Sequence, residues 1–78
     1  MTLRVEFTLE TFMPGSSGPH VRAVIDAAAV HGLVVQLGPS GISGEGDDAD
    51  VAPAVEAAIR AALEAGATRV SVQLRRAN

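Results

Sequence analysis

The sequence predicts an α+β domain in which two helices pack on one face of a four-stranded antiparallel sheet, with elements in the order β-α-β-β-α-β. Three observations predict it. Segments near both ends alternate apolar and polar residues with a period of two; two internal stretches carry apolar residues at helical spacing; and each of those stretches runs into a glycine and then a further alternating segment. At 78 residues the chain suffices for one domain, residues 1–78, and is too short for two.

Leu3, Val5, Phe7 and Leu9 alternate with Arg4, Glu6, Thr8 and Glu10, the pattern of a strand with one face on a core. Phe12 and Met13 extend or cap it before Pro14-Gly15-Ser16-Ser17-Gly18, a loop by its turn chemistry. Pro19 suits the first position of a helix, where its missing N–H costs nothing. Over His20 to His31, Val21, Val24, Ile25 and Ala28 form one apolar stripe, and Gly32 allows a left-handed exit. Leu33, Val35 and Leu37 then mark a second strand. A connection at Gly38 to Gly41 leads to a short, irregular third strand over Ile42 to Gly46, whose three glycines from Gly41 onward are poor strand formers.

Asp47, Asp48 and Asp50 precede the second helix, where carboxylates cap free N–H groups and suit the helix dipole. Pro53 is expected in its first turn; Val55, Ala58, Ile59, Ala62 and Leu63 are its expected buried stripe, and Gly66 its exit. Val70, Val72 and Leu74 alternate with Arg69, Ser71, Gln73 and Arg75 as the last strand. With right-handed crossovers this order of elements gives the ferredoxin-like arrangement, strand order 4-1-3-2, with the first and third strands central.

Composition narrows the function. No cysteine is present, so neither a disulfide nor a thiolate-held metal staples the core. With two phenylalanines as the only aromatics and alanines crowding both helices, the core is thin, and partner subunits are the expected source of further burial. The net charge of −3 and the lack of clustered cations argue against nucleic acid. Neither an apolar leader nor a membrane span is evident, so a cytoplasmic location is expected.

No nucleophile elbow, HExxH, CxxC or Walker loop occurs, and Gly41 to Gly46 lacks the Gly-Lys-Ser/Thr ending of a phosphate loop. His20 and His31 lie at opposite ends of one helix and read as surface or cap residues. No catalytic residue, cofactor or metal site is expected. An enzymatic reading would require Glu6 and Glu45 to meet as an acid–base pair. The sheet face away from the helices is expected to carry Glu6, Thr8, Val34, Gln36, Ser71 and Gln73. These short polar side chains suit either a small-molecule floor or an interface with another chain.

One resemblance adds to this. Gly32-Leu33, Pro39 to Gly46 (Pro-x-Gly-Ile-x-x-Glu-Gly) and Gly66-Ala67-Thr68-Arg69-Val70 resemble, in order and spacing, the small thiamine-binding protein family of ferredoxin-like proteins, of which this chain would be a shortened and divergent member. Val5-Glu6-Phe7 resembles the family's first strand. Ile42 stands where the family carries Thr, and Gly44 at an apolar position, which is expected to loosen the strand. The resemblance implies non-enzymatic binding of thiamine or its hydroxymethyl-aminopyrimidine moiety, as a carrier, buffer or sensor, in homo-oligomers, dimer or tetramer, built through the sheet face or an edge. An aminopyrimidine calls for a fixed carboxylate or amide. Glu45 is the best carboxylate on that reading, with Glu6, Thr8 and Ser43 as companions, Gln36 able to donate or accept, and Phe12 able to stack on a ring. The alternative is a structural or regulatory module that binds another chain through its open sheet face and edge strands.

Overall fold

A computed structural model of the chain describes residues 1–10, 18–39 and 41–77. Its elements are β1 (Thr2–Glu10), α1 (Gly18–Val30), β2 (Val35–Gly38), β3 (Gly41–Asp47), α2 (Asp48–Glu64) and β4 (Arg69–Arg76). They form one antiparallel sheet in the order β2-β3-β1-β4 with β1 and β3 central, the ferredoxin-like topology that the sequence predicts. Phe12, Met13 and most of the loop that follows them lie outside the described residues.

The core lies between the sheet and the helices. Val5 and Phe7 of β1, Ile42 of β3 and Val35 of β2 meet Val24 and Ala28 of α1 and Val51, Ala54, Ala58 and Ala62 of α2, all buried. The buried face of α2 is rotated from the expected stripe: Val51 and Ala54 are fully buried, whereas Leu63 is 53% exposed. The helix also starts early enough to place Pro53 in its second turn. Asp48 N–H donates to the Met1 carbonyl at 2.9 Å, which anchors the first turn ahead of the proline. The proline ring then removes one intrahelical bond, the one that would reach the Ala49 carbonyl. Asp47 is the N-cap residue but makes no side-chain cap bond. Its carboxylate instead accepts from the Met1 ammonium at 3.1 Å, and that contact holds the Asp47 carboxyl below its usual range.

Both helices close in the same way. Leu33 N–H reaches the Ala28 carbonyl and Gly32 N–H the Ala29 carbonyl; Ala67 N–H reaches the Ala62 carbonyl and Gly66 N–H the Leu63 carbonyl. Gly32 and Gly66 have φ of 80° and 103°, and the next residue, Leu33 or Ala67, is buried. This is the Schellman closure, with its apolar residue after the glycine. It explains in backbone terms why the two halves of the sequence look alike.

Two expectations change on the helix side, for His20 and Leu37, while the surface reading of His31 holds. His20 is buried at 8% exposure rather than a surface residue, with Nε2 3.3 Å from where a Cβ on Gly66 would stand. His31 falls just beyond α1 and is exposed. Leu37 points to the helix side, since it pairs with Ile42, yet it is 62% exposed because it lies at the sheet edge beyond the cover of α1.

β3 is the largest departure. It is a regular seven-residue strand that pairs with β1 from Phe7↔Ile42 to Thr2↔Asp47. Its glycines fit because the strand is crowded, not loose. A Cβ on Gly44 would stand 2.6 Å from the Val34 carbonyl oxygen and 2.8 Å from Val35 Cγ1. Only glycine admits that close an approach of β2.

Candidate functional site

The face of the sheet opposite the helices is uncovered, and the strand register sets its side chains in rows. Glu6 of β1 lies opposite Ser43 of β3 on one side and Gln73 of β4 on the other, and Gln36 of β2 lies opposite Ser43. Gln36, Ser43, Glu6 and Gln73 therefore form one row across all four strands. The neighbouring row holds Glu45, Arg4 and Arg75, because Arg4 pairs with both Glu45 and Arg75. On the other side of the central row, Thr8 lies opposite Ser71 and, next along, Glu10 opposite Arg69.

Charge is matched within this face. Arg4 Nη1 donates to Glu45 Oε1 at 2.9 Å, and Arg4 Nε stands 3.7 Å from Glu6 Oε1. Arg75 Nη2 reaches the same Glu6 oxygen at 3.9 Å, and Arg69 Nε stands 3.3 Å from Glu10 Oε2. All these side chains are more than one third exposed, so each pair contributes less than about 1 kcal/mol to stability. Their effect is positional: Arg4 stands between the two carboxylates and ties one to the other. Arg4 Nε is itself buried and makes no hydrogen bond.

Glu6 borders three shallow hollows. One of about 270 Å³ lies toward β3, between Glu6, Thr8, Gly41 and Ser43. Two of about 250 Å³ each lie toward β4, one against Arg4 and Arg75 and the other against Thr8 and Ser71, both sharing Gln73. Each volume falls just under the usual range for small-ligand sites, about 300–1,000 Å³. A single ring fits such a hollow, and a two-ring molecule could straddle Glu6.

The structure thus brings together five of the six residues singled out from sequence: Glu6, Thr8, Gln36, Ser43 and Glu45 share the open face. Phe12, the sixth, lies outside the described residues. Ile42, at the position where the resembling family carries Thr, is buried on the helix side, 2% exposed, so a hydroxyl there would not reach this face. Sequence reasoning missed Arg4 and Arg75. Their signal was parity, since both alternate in step with Glu6 and Gln73, but the ion pairs depend on a register between strands that no single strand encodes. Among the described residues, no group of three or more His, Asp or Glu side chains could hold a metal ion. Nor is any helix among them long and apolar enough to cross a membrane.

No family model matches the chain, and no curated protein matches it. Solved structures do. A domain of unknown function, DUF77, from Bacillus cereus superposes with a TM-score of 0.70 at 19% identity, covering 95% of this chain and 70% of that one. A hypothetical protein from Methanocaldococcus jannascii has a TM-score of 0.69 at 22% identity, covering 99% and 84%. A candidate thiamine biosynthesis/salvage protein from Thermotoga maritima has a TM-score of 0.67 at 18% identity, covering 96% and 81%. At these identities the likeness carries the fold: this chain shares the ferredoxin-like α+β sandwich of the three proteins.

Proposed function

We propose that the chain is a divergent member of the small thiamine-binding protein family and binds thiamine, or its hydroxymethyl-aminopyrimidine moiety, on the open sheet face without chemical turnover. The observation that carries this reading is the placement of Glu6. It stands mid-sheet between amide and hydroxyl neighbours, Gln73 and Ser43, and borders hollows on both sides. A carboxylate flanked by an amide matches the donor and acceptor pattern of an aminopyrimidine edge. The thiazolium cation then lies within reach of Glu45, where it competes with Arg4. The fold shared with a candidate thiamine biosynthesis/salvage protein supports the same reading.

The role is that of a carrier, buffer or sensor in the cytoplasm, acting as a homo-oligomer. Each carboxylate of the Glu6 and Glu45 pair faces an arginine, an arrangement suited to binding rather than to proton transfer. Calorimetric titration with thiamine, and separately with the hydroxymethyl-aminopyrimidine fragment, tests it. Saturable binding near one ligand per subunit, weakened at least tenfold by Glu6→Gln or Glu45→Gln, is the expected result. No binding of either compound to the folded protein would overturn the reading.

A second reading is favoured by one observation: the open face is uncovered and each of its carboxylates has an arginine partner, so another chain that covered it would bury no unpaired charge. Burial of Thr8 and Ser71 against a partner, with no hollow left between them, would favour it over ligand binding.

A further inference from the structure

We propose that the β4 edge of the sheet is a docking site for an extended segment of another protein, one that alternates apolar and polar residues and carries an acid at each end. The site lies on the rim of the sheet rather than on its open face, so it goes beyond both readings above and does not depend on which ligand the face takes.

β4 is the longer of the two sheet edges, eight residues against four in β2. Its main chain is set to take a further strand. Ala77 N–H donates to the Thr2 carbonyl, on the β1 side. Bonding direction alternates from residue to residue in an antiparallel ladder. Arg69, Ser71, Gln73 and Arg75 therefore also turn their N–H and C=O groups toward β1, while Val70, Val72 and Leu74 turn theirs outward. A strand added at this edge bonds to those three.

The side chains set what that strand must carry. On the helix side Val70 and Val72 are half-buried and Leu74 is 51% exposed. Pro53, Ala57 and Arg60 of α2 line a hollow with His31, just past the end of α1, so the flank of α2 that holds Val55, Ile59 and Leu63 lies away from α1, toward β4. Leu63 on this flank is also more than half exposed. Apolar side chains opposite Val70, Val72 and Leu74 would cover surface that the chain leaves in water.

The open face requires the opposite chemistry. β4 carries no acid, and Arg69 and Arg75 stand six residues apart on that face, a span of about 20 Å. Their side chains are exposed, and Arg75 comes no nearer to a carboxylate than 3.9 Å, at Glu6, which Arg4 also approaches. A guanidinium has five N–H donors, so each can take a second carboxylate from outside. The same arginines deter a second copy of this strand: an antiparallel pair of β4 edges centred on Val72 would set Arg69 opposite Arg75. The occupant is thus a different, acidic strand, with apolar residues at alternate positions between two acids.

The acetylated and amidated peptide Glu-Val-Thr-Val-Thr-Val-Glu has this pattern in either direction and serves as the probe. Fluorescence anisotropy of the labelled peptide should give saturable binding to the folded protein. Heteronuclear NMR should show the largest amide shifts at Val70, Val72 and Leu74 rather than at Val35 and Gln36 of the other edge. Replacing the central Val of the peptide by Pro removes a ladder donor and should abolish binding. The peptide with Lys in place of both Glu should bind about tenfold more weakly. The Arg69→Glu/Arg75→Glu protein, with folding checked by circular dichroism, should reverse that preference. No saturation up to about 1 mM peptide, equal binding of the Glu and Lys peptides, binding that survives the proline, or amide shifts centred on β2 would each overturn the proposal. Thiamine is absent from these measurements, so the two proposals can fail separately.

Discussion

Gly44→Ala is the most demanding perturbation the fold suggests, because one methyl group is enough to test the packing of β2 on β3. The new carbon would stand 2.6 Å from the Val34 carbonyl oxygen, 2.8 Å from Val35 Cγ1 and 3.2 Å from Val35 Cα. Two of these three are backbone atoms, so relief requires β2 to move away from β3 rather than a side chain to rotate. Overpacking of this kind costs about 1–3 kcal/mol. Alanine recovers about 0.5–1 kcal/mol over glycine through the unfolded state. With contacts this short, the upper half of the cost range applies, leaving a net loss of about 1–2 kcal/mol. A chain of 78 residues has about 4–12 kcal/mol in total, and each kcal/mol lost lowers Tm by about 4–8 °C. Urea and thermal unfolding followed by circular dichroism should therefore show Tm lower by about 10 °C. Gly46→Ala is the matched control. Its Cβ would meet only side-chain ends, Leu33 Cδ1 at 3.1 Å and Val51 Cγ2 at 3.3 Å, and its loss should stay under about 1 kcal/mol. A Gly44→Ala protein as stable as wild type, or less affected than Gly46→Ala, would refute the claim that β2 and β3 are held at glycine distance.

Three further outcomes follow from the same geometry. Arg4→Gln should leave Tm within a few degrees, since its ion pairs are partly exposed; by freeing Glu6 and Glu45 it should strengthen binding of cationic thiamine severalfold in calorimetry while changing the affinity of the neutral pyrimidine fragment less. Phe7→Ala, at 1% exposure in the core, should lose about 3–5 kcal/mol in urea denaturation, a large share of the total. Ser71→Ala, on the open face, should change stability by less than about 0.5 kcal/mol in the same assay.

The fold was legible where side chains carry the pattern. Val5, Phe7, Val70 and Val72 announce strands by period two, and Val24 and Ala28 announce a helix face. Gly32 and Gly66 announce the turns that both prove to be the same Schellman closure. It was illegible where the pattern is carried by neighbours. The start of α2 is fixed by a hydrogen bond to Met1, 47 positions before Asp48, and no local signal near Pro53 reports it. β3 lacks side chains at two of its three helix-facing positions, Gly44 and Gly46, so periodicity had little to read. The candidate site divides in the same way. Membership of the open face follows from parity for Glu6, Thr8 and Gln36, while the ion pairs joining Arg4 to Glu45 and Arg75 to Glu6 belong to a register between strands.

The sparse side chains of β3 also bear on how the chain folds. Between β2 and β1, this strand contributes one large apolar group, Ile42, and draws the rest of its helix-side cover from Leu33 and Val51, which belong to other elements. Such a strand has little reason to be ordered until those elements have docked. Its contacts should then be nearly absent from the folding transition state, with φ-values near zero, and Gly44→Ala should act mainly by accelerating unfolding. The kinetic lifetime of the native state would rest on the strand that has the least apolar content of its own.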